Sequence, residues 1–215
     1  MPHAVIPDDV RAGLVPATRE ALSVDSIELG PRLLGAVLAH ETDEGVVAVR
    51  LSEVEAYRGV GEDPGSHAFR GKTPRNAVMF GEAGYLYAYF SYGMHVCLNV
   101  VAGRPGASSA VLLRGGVVVE GLELARRRRP GASDRDLARG PARLSLALGV
   151  PLSASGDDLL APPYTLLLPA APLPFEAGPR TGVSGPGGGA AFPWRFRIAG
   201  DPGVSPYRRH PKAVG

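Results

Sequence analysis

Two strand-like runs, residues 36–41 and 46–57, flank a turn at 42–45, and such a hairpin commits the chain to a sheet. The second run is rich in valine at its start and turns acidic at its end, in Glu53-Val54-Glu55-Ala56-Tyr57. Further runs of strand length follow at 84–90, 97–102, 110–114, 164–168 and 194–198. Helices are expected near 17–22, from a cap at Ser26 to residue 34 with Gly35 ending it, over 121–129 and over 140–148. No repeat and no linker divides these elements. At 215 residues, one domain with a substantial core is expected. The fold class is therefore α+β: a single compact domain over 17–208, its sheet mostly antiparallel, with flanking helices. Residues 1–16 read as a flexible arm and 209–215 as a tail.

Composition excludes several classes. No apolar run is long enough to span a bilayer. The N-terminal MPHAVIPDDVRAGL lacks the basic start and apolar block of a signal peptide. One cysteine, Cys97, rules out an internal disulfide and a cysteine-rich metal site. The expected location is the cytoplasm, with nucleoid association if the ligand is DNA. A net charge of +2 says little about partners, but only Lys72 and Lys212 are lysines. Codon bias accounts for that as readily as the planar fork with which arginine grips phosphate.

Alternate side chains of a strand share a face, so Glu53, Glu55 and Tyr57 point one way. A carboxylate there can activate water and the ring can stack on a flat ligand; a plain solvent-facing strand end also fits. The loop 58–76 is long for a compact domain, and such loops are usually functional. Its SHAFRGKTPRN stretch carries His67, Arg70, Lys72 and Arg75. These can follow a phosphate backbone or simply be solvated. Tyr85, Tyr87 and Tyr89 alternate on one face, as core or interface tyrosines do. Tyr92 sits beside Gly93, where a turn would project it outward; such a side chain can hold the gap left by a flipped base. Arg114 ends an apolar strand, and Gly178-Pro179-Arg180-Thr181-Gly182-Val183 leads into a glycine-rich turn. Each of these alone is a weak signal.

Taken in order, EVEAY, the histidine loop with RGKTPRN, VMFGEAGYLYAYFSYGMHVCLNV, AVLLRG, RGPARL and GPRTGVS resemble the alkyladenine DNA glycosylase family, also called 3-methylpurine DNA glycosylases. The resemblance runs from about Leu33 to Tyr207. It implies a curved sheet and a monomer acting on double-stranded DNA that contains a damaged purine. It implies no cofactor, no metal and no membrane. Glu55 matches the general base, and Arg114 and the backbone carbonyl of Val183 match the groups that help hold the attacking water. Tyr57, His67 and Tyr89 match the side chains that sandwich the flipped base. Asn99 matches the residue that crowds the exocyclic amine of guanine, and Leu113 is expected in the pocket lining. Tyr92 matches the intercalating ring. Arg70, Lys72 and Arg75 are expected on the DNA backbone. The run 126–129, with Arg139 and Arg143, is open between DNA contact and a helix C-terminus favoured by its dipole.

The implied activity is excision of alkylated or deaminated purines, such as 3-methyladenine, 7-methylguanine, hypoxanthine or ethenoadenine, leaving an abasic site. The duplex hides the bond, so the nucleotide must leave the stack at a few kcal/mol. A cationic purine would gain roughly 1–2 kcal/mol against tyrosine faces. Glu55 must accept a proton from water and stabilise positive charge growing on the sugar. Scarce lysine points to a monofunctional enzyme, because strand cutting needs an amine that forms a Schiff base. Pro2, exposed if Met1 is removed, is the remaining amine to consider. The rival readings are a catalytically silent binder of damaged DNA and an enzyme of free purine nucleosides.

Overall fold

A computed structural model describes residues 6–91 and 93–215. The strands are β1 (Leu14–Pro16), β2 (Val37–Thr42), β3 (Gly45–Tyr57), β4 (Leu86–Ser91), β5 (His95–Val101), β6 (Ala110–Glu120), β7 (Tyr164–Pro169), β8 (Glu176–Gly178) and β9 (Arg195–Arg197). They form one sheet in the order β1-β7-β2-β3-β6-β5-β4, with β9 added to β3 and β8 to β9. Every ladder between them is antiparallel. The helices are short: α1 (Asp8–Arg11), α2 (Arg19–Leu22), α3 (Ser26–Arg32), α4 (Leu122–Arg128) and α5 (Pro141–Leu148). The architecture is the single compact α+β domain that the strand pattern predicts.

The core lies between one face of the sheet and the helices. Val54, Leu98, Val100, Val111 and Leu113 meet Leu144, Ala147 and Leu148 of α5 and Leu29 of α3 in one buried cluster. Fully burying such a side chain is worth about 1.5–3 kcal/mol. The opposite face of β3, β6, β5 and β4 is therefore left free to build a site.

The elements differ from the expected ones in physical detail. Asp25, not Ser26, caps α3, accepting from the Ile27 N–H at 2.9 Å. The Ser26 hydroxyl instead donates to the Tyr57 carbonyl at 3.0 Å and stitches the helix to the end of β3. Residues 6–16, expected as part of a loose arm, bury Ile6 and pair β1 with β7. The strand expected to stop at residue 114 runs on through Gly115 and Gly116 to Glu120. That glycine pair looks like a breaker but meets a packing need. A Cβ on Gly116 would lie 2.4 Å from the Arg50 carbonyl, and one on Gly115 2.5 Å from that of Gly203.

Candidate active site

Register sets the free face residue by residue. Glu55 pairs with Leu112, Leu112 with Asn99, and Asn99 with Tyr87. Directly opposed residues share a face, so this row crosses β3, β6, β5 and β4 on one side. All of its members line a cleft of about 640 Å³, together with Tyr57, His67, Tyr89, Arg114 and Val183. Leu113 does not join them. It opposes Val54 and lies in the core cluster with no exposed surface. The expectation that Leu113 lines the pocket is corrected: the pleat gives that place to Leu112.

Arg114 reaches the cleft through an irregularity. Glu53 pairs with Gly115 and Val54 with Leu113, so Arg114 itself has no partner on β3. Such a bulge bends a strand and re-aims its side chain. The Arg114 Nε thereby lies 3.1 Å from Glu53 Oε1 and 3.4 Å from Glu55 Oε1. Burial alone would lower the arginine's pKa, but the Glu55 and Glu53 carboxylates outweigh it and raise it. Glu53 also takes the Arg195 Nε and, at 2.7 Å, the Ser205 N–H. The floor is thus an alternating chain, Arg195–Glu53–Arg114–Glu55, with each charge offset by its neighbour.

Glu55 is fully buried and borders the cleft from beneath. Its Oε1 accepts the Thr181 N–H at 2.6 Å, and its Oε2 accepts the Tyr57 hydroxyl at 2.9 Å. A carboxylate has about four lone-pair positions, so these contacts do not exhaust its accepting capacity. Burial first, and the Glu55 charge second, raise the Tyr57 pKa well above its ordinary value. The phenol therefore stays a donor. One face of its ring is covered by the Arg180 guanidinium, 4.4 Å from the centroid.

Arg180 is itself a fully buried clamp. It forms two 2.6 Å bonds to Asp63 and donates to the carbonyls of Ala56 at 2.9 Å and Gly187 at 2.9 Å. The Asp63 carboxylate also accepts the N–H groups of Arg58 at 3.1 Å and Gly65 at 2.9 Å. The end of β3, the 58–67 loop and the 180–187 loop are thereby tied to one buried pair.

The other wall is aromatic. Tyr87 and Tyr89 stack with centroids 5.5 Å apart, and His67 meets the Tyr89 ring edge-on at 4.6 Å. His67 Nδ1 lies 3.1 Å from the Tyr87 hydroxyl. Desolvation by surrounding protein, and then the Arg75 charge, push the His67 pKa down. The contact between His67 and Tyr89 leaves no gap between them for a ring. Tyr57 lines the same cleft as that pair. The Asn99 Nδ2 donates to the Tyr87 carbonyl at 2.9 Å, which fixes its amide at the back of the cleft. Val183 lines the cleft, and its carbonyl oxygen lies against Gly188, where a Cβ would meet it at 1.9 Å.

The expected cations separate into groups. Arg70, Lys72 and Arg75 are exposed and meet no carboxylate among the described residues. Arg75 lines the cleft, donates to the Phe90 carbonyl at 3.1 Å and sits over the Tyr89 ring at 5.8 Å. In the 126–129 run, Arg126 pairs with Glu123 and Asp134, Arg128 with Glu44, and Arg129 donates to the Asp136 and Leu137 carbonyls. Arg139 and Arg143 pair with Asp136. Tyr92 and Pro2 lie outside the described residues. Among the described residues, no group of three or more His, Cys, Asp or Glu side chains could hold a metal ion, and no helix is long and apolar enough to cross a membrane.

Asp63, Arg180, Arg195 and Leu112 are absent from the expected site residues. Arg180 stands in the GPRTG segment, which drew attention only for Val183. A lone aspartate in a polar loop and an arginine in a short late strand carry no sequence signal for burial.

A buried, cation-paired carboxylate beside an aromatic wall marks the cleft as an enzyme-like site. The family comparison names that class more closely. The model of the family described as methylpurine-DNA glycosylase matches residues 20–202. Relatives include proteins of Leifsonia xyli subsp. xyli, 63% identical with 92% of this chain and 95% of that one covered, and Streptomyces avermitilis, 53% identical with 91% and 93% covered. A Nocardia farcinica protein is 52% identical with 91% and 93% covered. Each bears the provisional name 3-methyladenine DNA glycosylase. This chain belongs to the methylpurine-DNA glycosylase family.

Proposed function

We propose that this enzyme excises alkylated or deaminated purines from duplex DNA by base flipping and hydrolysis, without cutting the strand. The observation that carries the reading is the Glu55–Arg114 pair beneath a slot walled by Tyr57 on one side and Tyr89 with His67 on the other. Glu55 takes a proton from the water that attacks the sugar carbon. Its charge also favours the oxocarbenium character that develops as the bond to the base breaks. Arg114 and the Val183 segment orient that water. Glu53, held by Arg195, sets the position of Arg114. Tyr57 presents a single face to the base because Arg180 covers the other. Asn99 excludes guanine by crowding its amino group, and Tyr92 fills the vacated stack. Arg70, Lys72 and Arg75 hold the backbone.

The test uses a duplex with one hypoxanthine or ethenoadenine, followed by alkali to reveal abasic sites. Breakage only after alkali, lost in Glu55→Gln while lesion binding persists, is the expected result. Breakage without alkali would bring an amine nucleophile back, and binding without excision would favour a silent reader of damage.

A further inference from the structure

The segment beyond Gly203 is built onto the site. The Ser205 N–H donates to Glu53 Oε2 at 2.7 Å, and Arg195 Nη2 donates to the Ser205 carbonyl at 3.1 Å. The Tyr207 ring then lies beneath the Arg195 guanidinium, 5.5 Å from its centroid. The Arg208 carbonyl accepts the Gly182 N–H at 2.9 Å, and the Lys212 carbonyl accepts the Gly185 N–H at 2.8 Å. Val214 N–H returns to the Gly185 carbonyl at 3.0 Å. Residues 205–214 are therefore laced to the floor and to the loop that carries Thr181 and Val183.

This segment is cationic in sequence. No Asp or Glu follows Asp201, while Arg208, Arg209 and Lys212 do. All three are exposed; the side chains of Arg208 and Lys212 meet no carboxylate among the described residues, while the Arg209 Nη2 donates to the Ala213 and Gly215 oxygens at 3.1 and 2.7 Å. Arg208 lines the cleft beside Gly182, Val183 and Ser184. Its side chain makes no hydrogen bond to the described residues, although its backbone is anchored. The sheet order places this segment on the β9 side of β3, whereas Arg75 sits at the far side by β4. Three strand spacings, about 14 Å, separate β3 from β4.

We infer that residues 205–214 form a second phosphate-binding wall of the cleft, with Arg208 taking a backbone phosphate of the strand whose base enters it. Arg209 and Lys212 extend the positive field of that wall. The inference rests on the reading of the chain as a DNA glycosylase, and the wall lies beyond the span that the family model matches. The chemistry suits the residue: an anchored arginine with an unused planar fork fits a phosphate better than a lysine of equal charge. Each phosphate neutralised releases counterions, so each contact steepens the salt dependence of binding by about 0.9 in log–log slope.

The experiment measures affinity for a fluorescent duplex carrying one ethenoadenine between about 50 and 200 mM NaCl. Arg208→Ala should weaken binding and flatten the slope by about 1. Its deficit against the parent should shrink roughly three- to fourfold across that range. Arg208→Lys should restore most of the slope. Arg208→Gln with Lys212→Gln, which keeps bulk and removes charge, should flatten it further. Slopes equal to the parent's in both uncharged variants overturn the wall; if the parent still excises the lesion and Glu55→Gln does not, the glycosylase reading survives that result. A parent that neither binds nor excises lesion-bearing duplex overturns both.

Discussion

On the floor of the cleft every charge is buried and matched, while on its rims the charges are exposed and unmatched. Arg195, Glu53, Arg114 and Glu55 alternate along the floor, and Arg180 and Asp63 close on each other beside it. Arg70, Lys72 and Arg75 on one rim, and Arg208 on the other, meet no carboxylate among the described residues. A buried charge without its partner is costly, so the floor's pairs fix geometry. An exposed cation costs little to leave unpaired and attracts polyanions at a distance. The contrast extends to the end of α4. The 126–129 run is richer in arginine than either rim, but Arg126, Arg128 and Arg129 are absorbed by Glu123, Asp134, Glu44 and backbone carbonyls. Under the proposed reading, arginine without a carboxylate beside the cleft, rather than arginine content, marks where DNA is held.

Changes to the floor should have the largest effects. Glu55→Gln should lower single-turnover excision by about 10²–10⁴-fold while lesion binding persists. A rate within threefold of the parent would remove Glu55 as the base. Asp63→Ala leaves the Arg180 guanidinium buried and unpaired and should cost about 3–5 kcal/mol in denaturant unfolding. A small loss there would mean that the two loops are held by other contacts.

Asn99→Ser opens the back of the slot without touching the charged chain. Excision of undamaged guanine should rise by roughly tenfold, the scale at which steric fit discriminates; no rise would refute the gate. On the rim, Arg75→Ala should flatten the salt slope of binding by about 1 and weaken binding to all sequences alike. The smallest effect is expected at Arg126→Ala, which should leave that slope at the parent value. A slope as flat as that of Arg75→Ala would break the distinction between compensated and uncompensated arginine.

Much of the fold follows from local patterning. The hairpin of β2 and β3, the tyrosine strand β4 and the helices α4 and α5 lie within a few residues of where alternation and turn residues put them. The short pieces β1, β8 and α1 were not legible, because three or four residues carry too little periodicity to stand out from loop. β6 runs past its expected end at residue 114, through a glycine pair, for a physical reason. Glycine signals a break when it relaxes the backbone, and here it permits close approach of the Arg50 and Gly203 carbonyls.

Glu55, Tyr57, His67, Tyr89, Asn99, Arg114 and Val183 all line the same cleft; Asn99 and Val183 are nominated only by the family resemblance, whereas the other five also stand out by residue type. Those are local properties: a carboxylate and a ring alternating on one strand, a tyrosine strand, and a cationic strand end. What required the folded sheet was anything set by register. One residue of pleat separates Leu112 in the cleft from Leu113 in the core, and a linear sequence does not reveal which strand opposes which. The bulge that frees Arg114 from its ladder is a property of how β3 and β6 register against each other. The burial of Asp63 against Arg180, 117 residues apart in sequence, depends on two loops meeting at the end of a third element. Side-chain chemistry is written along the chain, whereas facing, partnership and burial are relations between distant segments and exist only once those segments pack.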